Sequence, residues 1–197
     1  MLRARIAVLV SGGGTNLQAL IDNQAAGNLP SGEIALVVAD KAGVKAIERA
    51  GNASIPCEVI IRKEGGFEEK VLDALTRHNI DMVVLAGFLG ILSADFIRGF
   101  GKPIINIHPA LIPSFCGKGM YGLKVHEAAL EYGVKVTGAT VHYVNEIPDG
   151  GKIIAQKAVE ILPGDTAEVL QRRVMEQSEW KLLPAAAELV AKDIISR

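Results

Sequence analysis

Two cysteines in 197 residues are too few for a disulfide framework. Cys57 and Cys116 lie far apart and neither belongs to a CxxC pair, so neither zinc nor dithiol chemistry is indicated. No charge sign is in excess: 21 Lys and Arg stand against 22 Asp and Glu, for a formal charge of −1. Dedicated binders of nucleic acid or of anionic membranes normally carry a basic surplus, so both partner classes are disfavoured. No stretch approaches the ~20 apolar residues of a membrane span. Arg3 and Arg5 ahead of Ile6 to Val10 imitate a secretory leader, but that apolar run is too short and no small-residue cleavage site follows. The absences together predict a soluble protein of a reducing compartment, the cytoplasm. What is present, 49% hydrophobic and 22% charged residues, is ordinary globular composition. It predicts one domain over residues 1–197, with no linker or internal repeat.

Strand and helix patterns alternate along the first half. Arg5 to Val10 is short, apolar and β-branched, and Gly12-Gly13-Gly14 breaks it. Thr15 or Asn16 is expected to cap a helix reaching about Ala26. Ile34 to Val38 is a continuous apolar run, the mark of a strand buried on both faces. A helix is expected from Val44 to Ala50, stopped by Gly51. Further strands are expected at Cys57 to Ile61, Met82 to Leu85 and Pro103 to His108, with a helix from Phe67 to His78. Such alternation implies an α/β fold with a parallel sheet. Residues 109–122 read as a long loop and Gly122 to Tyr132 as a helix. Lys135 to Val144 and Lys152 to Glu160 read as strands. Asp165-Thr166-Ala167-Glu168 resembles a capping box opening a terminal helix that Pro184 should kink or restart.

Three places carry candidate chemistry. Ser11 to Leu17 places glycines between a strand and a helix, where backbone N–H groups and the helix N-terminus suit a phosphate. It is not a Walker motif, and Leu17 stands where a dinucleotide fingerprint needs its third glycine. The bland alternative is a tight turn. Asp40, ending the second strand, is either a ribose ligand or a turn residue. Asn106 and His108 are two apart on a strand and so share a face at its C-terminal end, where open α/β sheets bind ligands. An amide beside an imidazole can hold an oxyanion; the alternative is two satisfied polar residues. Asp149, in Pro148-Asp149-Gly150-Gly151, can pair with an imidazole or can simply serve the turn. His142 shares a strand face with Thr140 and either supports the site or fills space, His78 suits a helix C-terminus, and His126 is expected at the surface or in packing. No residue set has metal-ligand spacing.

Taken in order, Ser11 to Leu17, Leu85 to Leu92, Asn106 to Pro113 and Gly138 to Gly151 resemble the phosphoribosylglycinamide formyltransferases of the 10-formyltetrahydrofolate-dependent superfamily. Asn-Ile-His-Pro with the downstream Asp-Gly-Gly is the superfamily signature, and the N-terminal loop points to the ribonucleotide branch. The resemblance covers nearly the whole chain. It implies a Rossmann-like formyltransferase fold: a mostly parallel sheet, helices on both faces and an antiparallel C-terminal portion. It implies formyl transfer from 10-formyltetrahydrofolate, as co-substrate and without metal, to the amine of glycinamide ribonucleotide in purine synthesis. By position it assigns catalysis to Asn106, His108 and Asp149. The ribonucleotide falls to Gly13, Gly14, Thr15, Asn16 and Glu179. The folate falls to Leu89, Gly90, Ile91, Leu92, Asn106, Asn145 and Glu146. Small molecules are then the partners of a monomer or homodimer.

Four departures from the family pattern stand out. Gly13 replaces a common asparagine. Gly90 replaces a common arginine, which removes a side chain near the folate tail. Pro148 precedes the aspartate where an aliphatic residue is usual, and Phe115 to Tyr121 lengthens a loop. Rival readings fit less well. A methionyl-tRNA formyltransferase normally carries a further tRNA-binding domain, and a formyltetrahydrofolate hydrolase a regulatory one. A non-catalytic phosphosugar-binding module has no use for the three candidate catalytic residues.

Overall fold

The computed structural model describes residues 2–197; Met1, the first residue of the expected domain, lies outside them. Seven strands form one sheet in the order β3-β2-β1-β4-β5-β6-β7. They are β1 (Ala4–Val10), β2 (Gly32–Ala39), β3 (Cys57–Val59), β4 (Met82–Leu85), β5 (Ile104–His108), β6 (Val136–Tyr143) and β7 (Ile153–Glu160). Strands β1 to β5 pair parallel, whereas β5–β6 and β6–β7 pair antiparallel. The parallel part is buried on both sides, which explains why β1, β2 and β4 read as apolar runs rather than alternations. The mixed sheet matches the expected fold.

Helices cover both faces. On one face, alternate β1 residues (Ile6, Val8, Val10) meet α1 (Thr15–Ala25), α2 (Lys45–Asn52), α6 (Ala167–Val174) and α7 (Trp180–Ile195). On the other, Ala7 and Leu9 meet α3 (Phe67–Arg77) and α4 (Ala94–Phe100). α5 (Leu123–Tyr132) packs beside α6. No helix among the described residues is long and apolar enough to cross a membrane.

Several local expectations are corrected. Helix α1 is capped by neither Thr15 nor Asn16: Gly14, in the left-handed region at φ 69°, is the N-cap. Gly51 does not stop α2, which runs on to Asn52, because the turn is made by Ser54 at φ 56°. Thr166, not Asp165, caps α6 by accepting from the Val169 N–H, while Asp165 takes the Leu162 N–H and pairs with Arg173. The terminal helix departs from regularity before Pro184: a π-type turn at Met175–Glu179 separates α6 from α7, and Pro184 sits inside α7. The helix α4 was not expected from the sequence; its signal is Ser93, whose hydroxyl accepts from the Phe96 N–H.

Candidate active site

The order of strands reverses at β1, since β2 lies on one side of it and β4 on the other. At such a switch point the connections diverge and leave a crevice beyond the C-terminal strand ends. A cavity of about 380 Å³ opens there, lined from β4, β5, the 109–122 loop, the loop after β6, and α6 with its π-type turn. Asn106, His108 and Asp149 all line it.

The strand-borne pair behaves as the two-residue period requires. Ile105 and Ile107 enter one core, and Asn106 and His108 face the cavity. Their neighbours define their chemistry. The His142 Nδ1–H donates to the Tyr143 carbonyl at 2.9 Å, which leaves Nε2 of the neutral ring as an acceptor. That Nε2 receives the Asn106 amide N–H at 3.2 Å. His142 therefore fixes the orientation of Asn106, whose second N–H is free for a ligand. The Nε2–H of His108 donates to the Phe115 carbonyl at 2.9 Å, and its Nδ1 stands 3.7 Å from Asp149 Oδ2.

Asp149 reaches this cluster from a turn, at φ 56°. Gly151 closes that turn so tightly that a Cβ there would lie 1.7 Å from the Tyr143 carbonyl oxygen. The Gly117 N–H donates to Asp149 Oδ2 at 2.8 Å, and His142 Nε2 lies 3.5 Å from Oδ1. Burial pushes the Asp149 carboxyl up, but His142, the charge of His108 and the Gly117 N–H outweigh it and hold the carboxyl below its ordinary range.

The other end of the cavity holds a second carboxylate. Glu179, in the π-type turn, accepts from the Asn16 amide at 2.7 Å and is 6% exposed. Burial pushes its carboxyl up, against the Asn16 hydrogen bond. Of the residues expected to meet the ribonucleotide, Asn16 and Glu179 line the main cavity. Thr15 lines a smaller one of about 260 Å³ with Arg49 and Trp180. Gly13 and Gly14 line neither, although Arg49 clamps the loop by donating to the Gly13 carbonyl at 2.9 Å. Asp40 also lines neither; it accepts from the Ser11 hydroxyl at 3.0 Å, and Ser11 in turn accepts from the Leu89 N–H at 2.9 Å. This hydrogen-bonded brace joins β1, β2 and the segment after β4.

Leu89, Gly90, Ile91, Leu92, Asn145 and Glu146 line the main cavity together with Leu85, Phe88 and Val144. Leu85, Phe88 and Leu92 are buried, while Leu89 and Ile91 are exposed at the mouth. Glu146 is paired with Arg98 at 2.8 Å. The space beside Gly90 is filled rather than lost: a Cβ there would lie 1.9 Å from Arg62 Nη1. Arg62 stacks over the Phe67 and Phe88 rings and donates to the Ile91 carbonyl at 3.1 Å. Sequence reasoning did not single out Arg62 as a site residue, nor did it place His126 in the cavity; His126 is fully buried and lines it. Among the described residues no group of three His, Cys, Asp or Glu side chains is placed to share a metal ion.

Comparison with known proteins agrees with this geometry. The formyl transferase family model matches residues 4–187. The trifunctional purine biosynthetic protein adenosine-3 of Homo sapiens is 44% identical over 197 residues, which are 98% of this chain but 19% of that protein. This chain therefore spans about a fifth of the length of that relative. The phosphoribosylglycinamide formyltransferase of Haemophilus influenzae is 40% identical, over 91% of this chain and 84% of that one. The crystal structure of glycinamide ribonucleotide transformylase 1 from Symbiobacterium toebii superposes with a TM-score of 0.90 at 37% identity, over 97% of this chain and 89% of its own. With that similarity running along almost the whole chain, and an asparagine, a histidine and an aspartate gathered at one crevice, the chain belongs to the phosphoribosylglycinamide formyltransferases of the formyl transferase family.

Proposed function

We propose that this chain transfers the formyl group of 10-formyltetrahydrofolate to the primary amine of glycinamide ribonucleotide, a step of purine synthesis. The observation that carries the reading is the cluster of Asn106, His108 and Asp149 at the floor of a cavity with one apolar and one polar end. The pterin packs at the apolar end against Leu85, Phe88 and Leu92, with Leu89 to Leu92 and Asn145 to Asp149 bordering it. Arg62 at that mouth suits the carboxylates of the folate tail. Asn16 and Glu179 meet the ribonucleotide at the polar end. Its phosphate reaches Gly13, Gly14 and Thr15, where the first N–H groups of α1 have no partner within the helix.

The amine nitrogen attacks the formyl carbon, a new C–N bond forms, and the carbonyl oxygen becomes an oxyanion. Asn106 offers it the N–H that His142 leaves free, with no reorganisation at the moment of reaction. His108 offers its Nε2–H by exchanging the Phe115 carbonyl for the oxyanion. Asp149, ionised beside Nδ1, favours the imidazolium and helps move the amine proton to departing N10 as the C–N10 bond breaks. The 10-formyl folate is a co-substrate, and the residues named supply this chemistry without a metal.

The same reading makes residues 1–197 a single formyltransferase domain, the first half holding the ribonucleotide phosphate and the second helping to close the folate pocket. It places the chain in the cytoplasm as a monomer or homodimer; the unpaired thiols of Cys57 and Cys116 suit a reducing compartment. A spectroscopic assay of folate deformylation with glycinamide ribonucleotide, beside a control without acceptor, tests the reaction. Turnover only with the acceptor is expected. Equal turnover without it would make the protein a hydrolase, and no turnover in either would return it to a binding module.

A further inference from the structure

His126 is an anomaly in the cavity. Its side chain is fully buried, yet neither ring nitrogen has a hydrogen-bond partner among the described residues. Buried polar atoms are costly unless paired, so an imidazole with two unpaired nitrogens facing a ligand cavity is equipped for something that enters it. The ring sits near the start of α5, just beyond the 109–122 loop. α5 packs beside α6, and Gln171 of α6 with Met175 and Glu179 of the π-type turn line the same cavity. His126 thus belongs to the polar end of the cavity, within electrostatic reach of His108.

We propose that His126 is a positioning residue for the acceptor substrate, its neutral ring giving one hydrogen bond to and taking one from the amide that precedes the reactive amine. This inference rests on the proposed acceptor. A secondary amide is the matching group, because its C=O accepts and its N–H donates, as the two nitrogens of a neutral imidazole require. Burial, with His108 adding to it, holds the His126 imidazole down at about 4, so the ring stays neutral at physiological pH. A neutral ring keeps both a donor and an acceptor, whereas an imidazolium would have donors only and would oppose a charge on His108. Fixing the amide fixes the amine one carbon away, which is what an attack on the formyl carbon needs.

The test compares His126→Leu and His126→Asn with the unaltered protein. In the absence of ligand, leucine removes two unpaired buried polar atoms, so its Tm is expected to stay level or rise. Its KM for glycinamide ribonucleotide should rise about tenfold or more, while KM for the folate stays within twofold. Asparagine, with a donor and an acceptor, should recover part of the loss. A residue that only packs would leave the acceptor KM unchanged in His126→Leu, and that result overturns the inference. If the leucine variant does not fold, the imidazole nitrogen NMR signals of the unaltered protein decide. They should move on saturation with glycinamide ribonucleotide and not with folate, and signals unmoved by the ribonucleotide overturn the inference. Turnover by the unaltered protein with an unchanged acceptor KM in the variant would sink the role of His126 alone. Loss of acceptor-dependent turnover in the unaltered protein would sink the proposed reaction.

Discussion

Asp149 and Glu179 are two carboxylates at opposite ends of one cavity, and their surroundings push them in opposite directions. Asp149 stands among two imidazoles and the Gly117 N–H, which together overcome its burial and favour the charged form. Glu179 has one amide partner, Asn16, and its burial favours the neutral form. Residues of nearly the same chemistry thereby take different work: one holds charge beside the reacting atoms, the other meets a neutral polar part of a substrate. When environments separate two titratable groups in this way, acid–base roles follow from the environments rather than from the residue type.

Neutralising Asp149 should break the comparison at its stronger end. Asp149→Asn keeps the shape and removes the charge, so kcat is expected to fall by about 10²–10⁴, with calorimetric affinities for both substrates changing far less. Wild-type kcat in this variant would reduce Asp149 to a turn residue. Next in size, Asn106→Ala and His108→Ala should each lower kcat by about 10²–10³. Because both meet one oxyanion, the double variant should lose less than the product of the single losses, which steady-state rates of all three proteins would show. At the polar end, Gly14→Val should cost about 1–3 kcal/mol of backbone strain and weaken ribonucleotide binding by about tenfold or more, leaving folate binding nearly intact. Equal losses for both ligands would mean general damage to the fold.

The smallest effects sharpen the contrast through pH. The Asp149 carboxyl lies below its ordinary range, so its contribution to stability is complete above about pH 4 and is lost as pH falls through the lowered value. The Glu179 carboxyl lies above its ordinary range, so its contribution is complete in acid and is lost as pH rises through the raised value. Tm followed against pH should therefore flatten on the acid side in Asp149→Asn and toward neutral pH in Glu179→Gln. Glutamine keeps a partner for Asn16, so this second variant should be the more stable protein near pH 7. Flattening on the same side in both would end the comparison.

The contrast also separates what was legible in the sequence from what was not. Asn106 and His108 follow from the period of a strand: once β5 is recognised, their shared face is geometry. The buried parallel strands announce themselves as apolar runs, and the long loop after Pro109 by its lack of period. Asp149 was legible only through resemblance, because its place depends on a turn whose reach no local pattern states. His126 has the spacing of any helical residue, and burial of its face is decided by α6, about forty residues later. Arg62 reaches the mouth because residue 90 lacks a side chain, a relation between two distant positions. Gly51 misled because a glycine inside a helix costs only ~1 kcal/mol, which the packing of Ala46 and Ala50 outweighs. Pro184 misled because the irregular turn falls one turn earlier, at Met175–Glu179.

Gly14 also constrains how this chain can drift. Any side chain there would place its Cβ 2.8 Å from the Cβ of Ala46 and 2.9 Å from its Cα, on a backbone already at φ 69°. Compensation normally lets one residue grow while its neighbour shrinks. Here shrinking Ala46 to glycine would still leave the Cα in the way, and no neighbour can relieve the left-handed backbone. Gly14 is therefore a mutational dead end: paired substitutions that keep the rest of the core variable cannot open this position, and change there must wait for the whole α1–α2 approach to move.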